Sequence, residues 1–299
     1  MVFAGGGRMS LLLRVNIALI VVFALGATLT GLACRALLER NAEHEIRAEA
    51  ELMMDSALAA RDYTASEIAP LLHAQMQSQF LPQSVPAYAA TEHFLRLHAN
   101  RPDYAYQEAT LNPTNLRDRA TDWQADIIQR FRNRPGEHEI TGERDTPTGR
   151  SMYLAKPIRA EEPCLECHST AAVAPPTVIE RYGSNNGFGW QLGDVVGAQV
   201  VSVPIASAEA RASGAFRAFL ASLIAVFVAL LIVVNLVLYL LVVQPVRRMA
   251  QIADRVSVGD ASAPEFAARG GAEVAALGAA FNRMRRSLDK ALKLLEARP

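Results

Sequence analysis

Cys164-Leu165-Glu166-Cys167-His168 is the stretch of this chain whose residue types and spacing point most directly to chemistry. Two thiols three positions apart can add to the two vinyl groups of a haem. A histidine directly after the second thiol then lies beneath the iron; this is the c-type haem attachment pattern. Histidine is a standard axial ligand, and the second axial position decides whether such a haem binds gas, transfers electrons or senses redox state. The same residue types also serve zinc half-sites, thioredoxin-like dithiols and structural disulfides. A zinc site of the usual kind needs a second ligand pair, and the sequence holds no other Cys-x-x-Cys. A redox dithiol should open a helix after a strand, whereas Pro163 and the polar run after His168 predict a loop. The reading is one covalent haem c on Cys164 and Cys167, with His168 as the proximal iron ligand.

Haem c is attached outside the cytoplasm, so the segment that carries it must be exported. Two apolar runs provide for this. Val15 to Cys34 is about one bilayer thickness, with Arg8 and Arg14 before it. Ala218 to Val243 is longer and uncharged, with Arg217 before it and Arg247 and Arg248 after it. These flanks predict a cytoplasmic N-terminus (1–14), a first span (15–34), a periplasmic domain (35–217), a second span (218–243) and a cytoplasmic tail (244–299) in a bacterial inner membrane. The first run is too long for a signal-peptide core, and no Ala-x-Ala cleavage site follows it. Gly31-Leu32-Ala33-Cys34 is a poor lipobox, so Cys34 reads as a small apolar residue at the membrane edge. Asn235 inside the second span reads as a polar residue satisfied between packed helices, or as a dimer contact.

Composition agrees with this layout. Of 299 residues 51% are hydrophobic, too many for a disordered chain, and the excess sits in the two spans. Net charge is zero with no long basic run, which argues against a nucleic-acid partner. Three cysteines leave no disulfide framework. Between the spans, 35–76 is rich in Ala, Glu, Leu and Met and predicts a stalk helix continuing the first span, kinked at Pro70. Helices are expected at Tyr88–His98 and Arg119–Arg132, with Pro82, Pro86, Pro102 and Pro113 punctuating the loops. Ile140 to Ile158 alternates as a hairpin turning at Thr146-Pro147-Thr148-Gly149, and Asp194 to Ile205 reads as a strand ending at Pro204. Helices followed by strands around a haem-bearing loop make an α+β domain. No catalytic constellation is visible: Asp55, Asp62 and Glu67 are spaced as a solvated helix face, and Gly5 to Gly7 precede the membrane. The chain reads as a non-enzyme.

The tail carries an independent pattern. Apolar residues fall at Val246, Met249, Ala253 and Val256 after Gln244-Pro245. Gly259-Asp260 and Gly270-Gly271 bracket a connector. Val274, Leu277, Phe281, Met284, Leu288, Ala291 and Leu295 then recur as a heptad seam. Two short parallel coiled-coil helices joined by a connector after a membrane span resemble a HAMP domain. Pro245 matches that family's proline at the start of its first helix, Gly259 its connector glycine and Glu273 the acid opening its second helix. Ala272 stands where an acid is common, and Phe266 is the connector's large apolar residue.

The segment from about Tyr63 to Pro204 also resembles a family: periplasmic haem-c sensor domains with a PAS-like fold (Tll0287-like), often joined by HAMP to kinase or cyclase outputs. The resemblance rests on 80–90 (FLPQSVPAYAA), 108–115 (EATLNPTN), 119–123 (RATDW), 146–150 (TPTGR) and 186–190 (NGFGW). It implies that Cys164 and Cys167 hold haem, that His168 is the proximal ligand, and that the fold is a PAS-like periplasmic haem domain between two transmembrane helices with a C-terminal parallel coiled-coil HAMP domain. No kinase, cyclase or methylation region follows the second HAMP helix in this sequence. A homodimer acting on a separate cytoplasmic kinase, cyclase or chemotaxis-type partner is therefore expected.

The distal iron position stays open at this level. Some soluble relatives use a cysteine on the N-terminal helix, and this segment has none to spare. His73 and Met76 lie one turn apart on the stalk and could reach a haem face. His93 and His98 are alternatives, Met53 and Met54 read as helix packing, and the sixth site could be unfilled. Tyr104, Tyr106 and Tyr153 could line the pocket and hold a bound gas. Arg119 and Arg150 could pair with the propionates. Two functions compete: a sensor of redox state or gas that signals through HAMP, and a membrane-anchored monohaem cytochrome for electron transfer to a redox partner. A HAMP-like coil serves the first and is idle in the second.

Overall fold

The structure is a computed structural model that describes residues 10–260, 262–266 and 271–296, the last five by their backbone alone. In chain order the elements are α1 (Leu11–Tyr63), α2 (Ala69–Met76), α3 (Pro86–Asn100), β1 (Ala105–Thr110), α4 (Asp122–Asn133), β2 (Ile140–Thr146), β3 (Gly149–Arg159), α5 (Glu162–His168), α6 (Pro176–Tyr182), β4 (Val195–Pro204), α7 (Ala206–Leu238), α8 (Gln244–Ser257) and α9 (Ala272–Glu296). They form two compact units. Residues 35–216 make one; residues 1–34 and 217–299 make the other. The fold is mixed helix and antiparallel sheet, with the 35–216 unit between two apolar helices. The helical runs Leu11–Met76 and Ala206–Ser257 each contain a stretch long and apolar enough to cross a membrane.

In the 35–216 unit the strands form one antiparallel sheet in the order β1-β4-β3-β2. The expected hairpin is β2–β3, with Thr146 opposite Gly149 and Ile140 opposite Ala155. Gly149 supplies the positive φ that its tight turn needs. β4 pairs with β1 on one side and β3 on the other, so its near-continuous Val run is buried on both faces. One face of the sheet presents Leu154, Val201 and Val203 to Phe94 of α3 and to Ile46, Ala50, Met54 and Ala57 of α1. The other presents Ala109, Ala155, Ala198 and Val200 to Ile127, Ile128 and Phe131 of α4. Met53 and Met54 are buried in the first of these clusters, as packing residues.

α4 begins later than its expected start at Arg119. The Thr121 backbone N–H donates to Gln124 Oε1 at 2.9 Å. This capping box makes Thr121 the N-cap and leaves Arg119 outside the helix. The stalk is interrupted near Pro70, as expected, but by a π-helical turn at Thr64–Ile68. Proline lacks an N–H and its ring crowds the carbonyl four residues back. The wider turn relieves that contact, and Pro70 then sits in the first turn of α2, where no donor is missed. The same device recurs in the other unit, where a π turn at Tyr239–Val243 precedes Pro245 in the first turn of α8.

In the membrane-length unit α1 and α7 run antiparallel. Asn16 and Asn235 exchange side-chain hydrogen bonds at 2.9 and 2.7 Å, and the rings of Phe23 and Phe227 stack at 3.7 Å. Asn235 is thus satisfied within one chain, the first of its two expected roles. In the tail, Met249, Phe266 and Val274 form a small core with Ile252. Phe266 fits because Gly278 leaves room for its ring: a Cβ there would stand 2.2 Å from Cδ1. Asn282 clasps the Phe266 backbone through both its amide groups, at 3.0 and 2.9 Å. Leu277, Met284 and Leu288 of the seam are 54%, 64% and 52% exposed in the single chain. Gly5 to Gly7, Arg8, Gly270 and the side chain of Leu295 lie outside the described residues.

Candidate functional site

The Cys-x-x-Cys-His stretch is helical, which corrects the expected loop. β3 ends at Arg159, the Ala160 backbone bonds to both Asp194 and Gly193, and α5 starts at Glu162. Pro163 stands in the first turn, where proline favours a helix rather than breaking it. The helix-after-strand criterion therefore does not separate haem attachment from a redox dithiol. Cys164 and Cys167 are unpaired, partly exposed and one helical turn apart. Burial pushes the Cys167 thiol above its ordinary pKa, with Glu166 and Cys164 adding to the effect. Among the described residues no group of three or more His, Cys, Asp or Glu is placed to hold a metal ion, so a zinc reading lacks its ligands.

His168 closes α5 and is the most tightly specified side chain of the site. Its Nδ1 lies 2.7 Å from the Gly187 carbonyl oxygen and 3.3 Å from Thr114 Oγ1. A carbonyl oxygen only accepts, so the proton sits on Nδ1 and the Nε2 lone pair is left for a metal. Burial lowers the His168 pKa, against the smaller opposing effect of the Gly187 bond, and favours the neutral ring that ligation needs. The ring stacks on Trp190 at 4.0 Å and 15°. The backbones lock as well: Trp190 N–H donates to His168 O at 3.2 Å, and Gly189 N–H to Ser169 O at 3.0 Å. Gly187 has φ +85°, and a Cβ on it would stand 2.0 Å from Thr114 Oγ1. Glycine is thus required there twice over.

A second polar group lies on β1. Tyr106, Glu108 and Thr110 alternate onto the same face. Glu108 is 4% exposed, forms an ion pair with Arg61 of α1 and accepts from the Tyr106 hydroxyl at 2.8 Å. Burial, then the Glu108 charge, raises the Tyr106 pKa strongly. The Thr110 hydroxyl is buried without a hydrogen-bond partner. β1, β4 and β3 pair so that Thr110, Gly197 and Ile158 share the sheet end from which the chain leads to α5.

The other candidates divide. Arg119 bridges to Thr110 at this same sheet end and is exposed. Arg150 stands at the far end of β3, about 30 Å from Arg159 at ~3.3 Å per residue. It pairs there with Glu143 and Glu209. Tyr153 packs against Trp123 on the α4 face of the sheet, opposite Tyr106. Tyr104 uses its hydroxyl on Glu49, at 2.6 Å. His73 is exposed on α2. Met76 Sδ accepts the Leu81 N–H at 3.1 Å, and Met76 O accepts from Thr177 of α6. His98 Nδ1 lies 2.8 Å from Tyr104 O, and His93 stacks edge-on to Phe94.

Sequence reasoning gave no role to Thr114, Gly187, Trp190, Arg61 or Glu108. Glu108 and Thr114 lie within the 108–115 segment and Gly187 and Trp190 within 186–190, so those segments carried a usable signal. Nothing local marks Arg61. A donor set of two thiols one turn apart and an imidazole with its proton fixed on Nδ1 fits covalent haem.

A family model described as Tll0287-like matches residues 39–204, and one described as a HAMP domain matches residues 237–290. No curated protein matches the chain. Among solved structures, that of the cyanobacterial haem protein Tll0287 is similar, with 16% identity over 54% of this chain and 95% of that one and a TM-score of 0.43.

Proposed function

The chain belongs to the Tll0287-like family, whose model spans more than half of it, and on that footing we propose that it is a membrane-bound haem-c sensor signalling through its HAMP domain. The observation that carries this reading is the fixed imidazole of His168, one residue after the thiol pair, with Nδ1 tied to Gly187 and Nε2 left for iron. Cys164 and Cys167 hold the haem through thioether bonds. Bound haem supplies a one-electron ferric–ferrous couple and a position for a small gas. Gly187 and Thr114 orient His168, and Trp190 covers one face of its ring against water. In this reading Arg119 pairs with a propionate and Tyr106 lines the pocket. The sixth iron position is open or weakly filled by Met76 or His73.

In this reading residues 35–217 are periplasmic, with the stalk at 35–76, and both chain ends are cytoplasmic. Residues 244–299 pair with a second copy as a parallel coil, which would cover the exposed Leu277, Met284 and Leu288. Its partner is a separate cytoplasmic kinase, cyclase or chemotaxis-type protein. A ligand or electron shifts the coil only through its differential affinity for two states of the 35–216 unit. The test is disulfide crosslinking in membranes. Leu277→Cys and Leu288→Cys should crosslink between protomers, Ala279→Cys on the opposite face poorly, and the seam yield should change when haem is reduced. A seam that crosslinks well but ignores haem state would favour an electron carrier instead.

A further inference from the structure

Beside the haem-binding helix lies a buried ion pair that attachment of haem does not require. Arg61 sits in the last turn of α1, its side chain mostly buried, and pairs with Glu108 of β1, which is almost fully buried. Tyr106 donates to the same carboxylate. The Cys164 thiol stands within electrostatic range of the Arg61 guanidinium. Two residues beyond Glu108, on the same strand face, the Thr110 hydroxyl is buried with no partner. A buried ion pair is poor evidence of a stabilising device, because desolvation of both charges offsets their attraction. Such a pair is instead sensitive to any third charge brought near it, since the interior screens charges weakly. Three residues after Arg61 the stalk leaves α-geometry for the π turn at Thr64–Ile68, so the pair stands just before a break in the helix. The pair is thus the one buried charge link among the described residues between the stalk helix and the sheet.

We infer that the Arg61–Glu108 pair is the electrostatic link by which the haem charge reaches the stalk helix. The inference rests on the proposed haem-c reading. One electron from a periplasmic one-electron carrier reduces ferric to ferrous iron and removes one positive charge from beside Arg61. No bond or proton changes at the pair. Arg61 is repelled by the ferric site and held toward Glu108 differently once the iron is ferrous, and the end of α1 moves with it. Arg61 is a positioning residue in this scheme and touches no reacting atom.

The test is a spectroelectrochemical titration of the full chain in lipid nanodiscs, loaded with haem and using dithionite as reductant. Arg61→Gln removes a positive charge and should lower the midpoint potential. Glu108→Gln removes a negative charge and should raise it. Arg61→Lys and the double Arg61→Gln/Glu108→Gln variant should stay near wild type. A purely structural role would move both single variants the same way, through greater haem exposure, and that result overturns the link, as does no movement in either. The helix end is read by a nitroxide on Glu67→Cys in a Cys34→Ala background. Its mobility should differ between oxidised and reduced protein, and the difference should vanish in the double variant, which strands no buried charge and so remains folded if a single variant does not. A label that ignores haem state in the otherwise native chain, or still responds in the double variant, overturns the inference. A wild type that holds no haem overturns the proposed function and the link together; one that holds haem with unsigned potential shifts overturns the link alone.

Discussion

Gly187→Ala should be among the most damaging single-methyl substitutions in this chain. At φ +85° an L side chain costs about 1–2 kcal/mol from backbone sterics alone. The added Cβ would also stand 2.0 Å from Thr114 Oγ1 and 2.9 Å from Thr114 Cα, so the backbone must move and not only a side-chain tip. Losing the Gly187 carbonyl as acceptor for His168 Nδ1 removes a further ~1 kcal/mol. The sum is about 3 kcal/mol, or roughly 6–12 °C in Tm for a unit of this size. Gly189→Ala is the control. Its φ is +87°, but a Cβ there meets nothing within 4 Å, so only the backbone part of the cost applies. The assay is thermal unfolding of the full chain in detergent for both variants and the Thr114→Ala/Gly187→Ala double, which should recover part of the loss. Equal melting of Gly187→Ala and Gly189→Ala would refute the packing argument and the view that Gly187 sets the His168 ring.

Three other outcomes follow from the same structure. Burial pushes the Asp118 carboxyl up to about 6, with Arg117 opposing and Glu108 reinforcing the shift. A raised acid binds its proton more tightly when folded, so its contribution to stability is lost as pH rises from about 4 through 6; Asp118→Asn should stabilise the protein at pH 7.5 by about 1–3 kcal/mol and leave it unchanged at pH 4, as read by denaturant titration. Alkaline phosphatase should be active when inserted near Ser184 and inactive when fused after Pro299, and the reverse pattern would contradict the Arg14 and Arg247/Arg248 topology. Reduced protein should bind CO readily; a methionine-to-iron charge-transfer band that resists CO would instead assign the sixth position to Met76 and favour electron transfer.

Much of the sheet was legible because its signals are local. The Thr146–Gly149 turn, the alternation on either side of it and the β-branched run stopped by Pro204 each carry their own geometry. Position along a strand was harder. Arg150 lies in a motif of its own at 146–150, and an eleven-residue strand carries it to the opposite end of the sheet from α5. Tyr153 and Tyr106 looked alike in sequence, and strand parity sends them to opposite faces. Pro163 alone does not decide between loop and helix, because a proline that ends one helix also begins another, and only the cap geometry tells which. The Arg61–Glu108 pair joins residues 47 apart, and no spacing rule reaches that far. The hold of Gly187 and Thr114 on one imidazole nitrogen is likewise a property of the folded chain.

The central claim is that Cys164 and Cys167 carry a covalent haem. It is tested most directly by haem-stained denaturing gels of the full chain made in cells that mature c-type cytochromes. Thioether bonds survive unfolding, so the wild-type band should stain and Cys164→Ala/Cys167→Ala should not. His168→Ala should retain stain while losing the native spectrum of its axial ligation. A wild-type band without stain, or stain that persists when both cysteines are gone, would contradict the account.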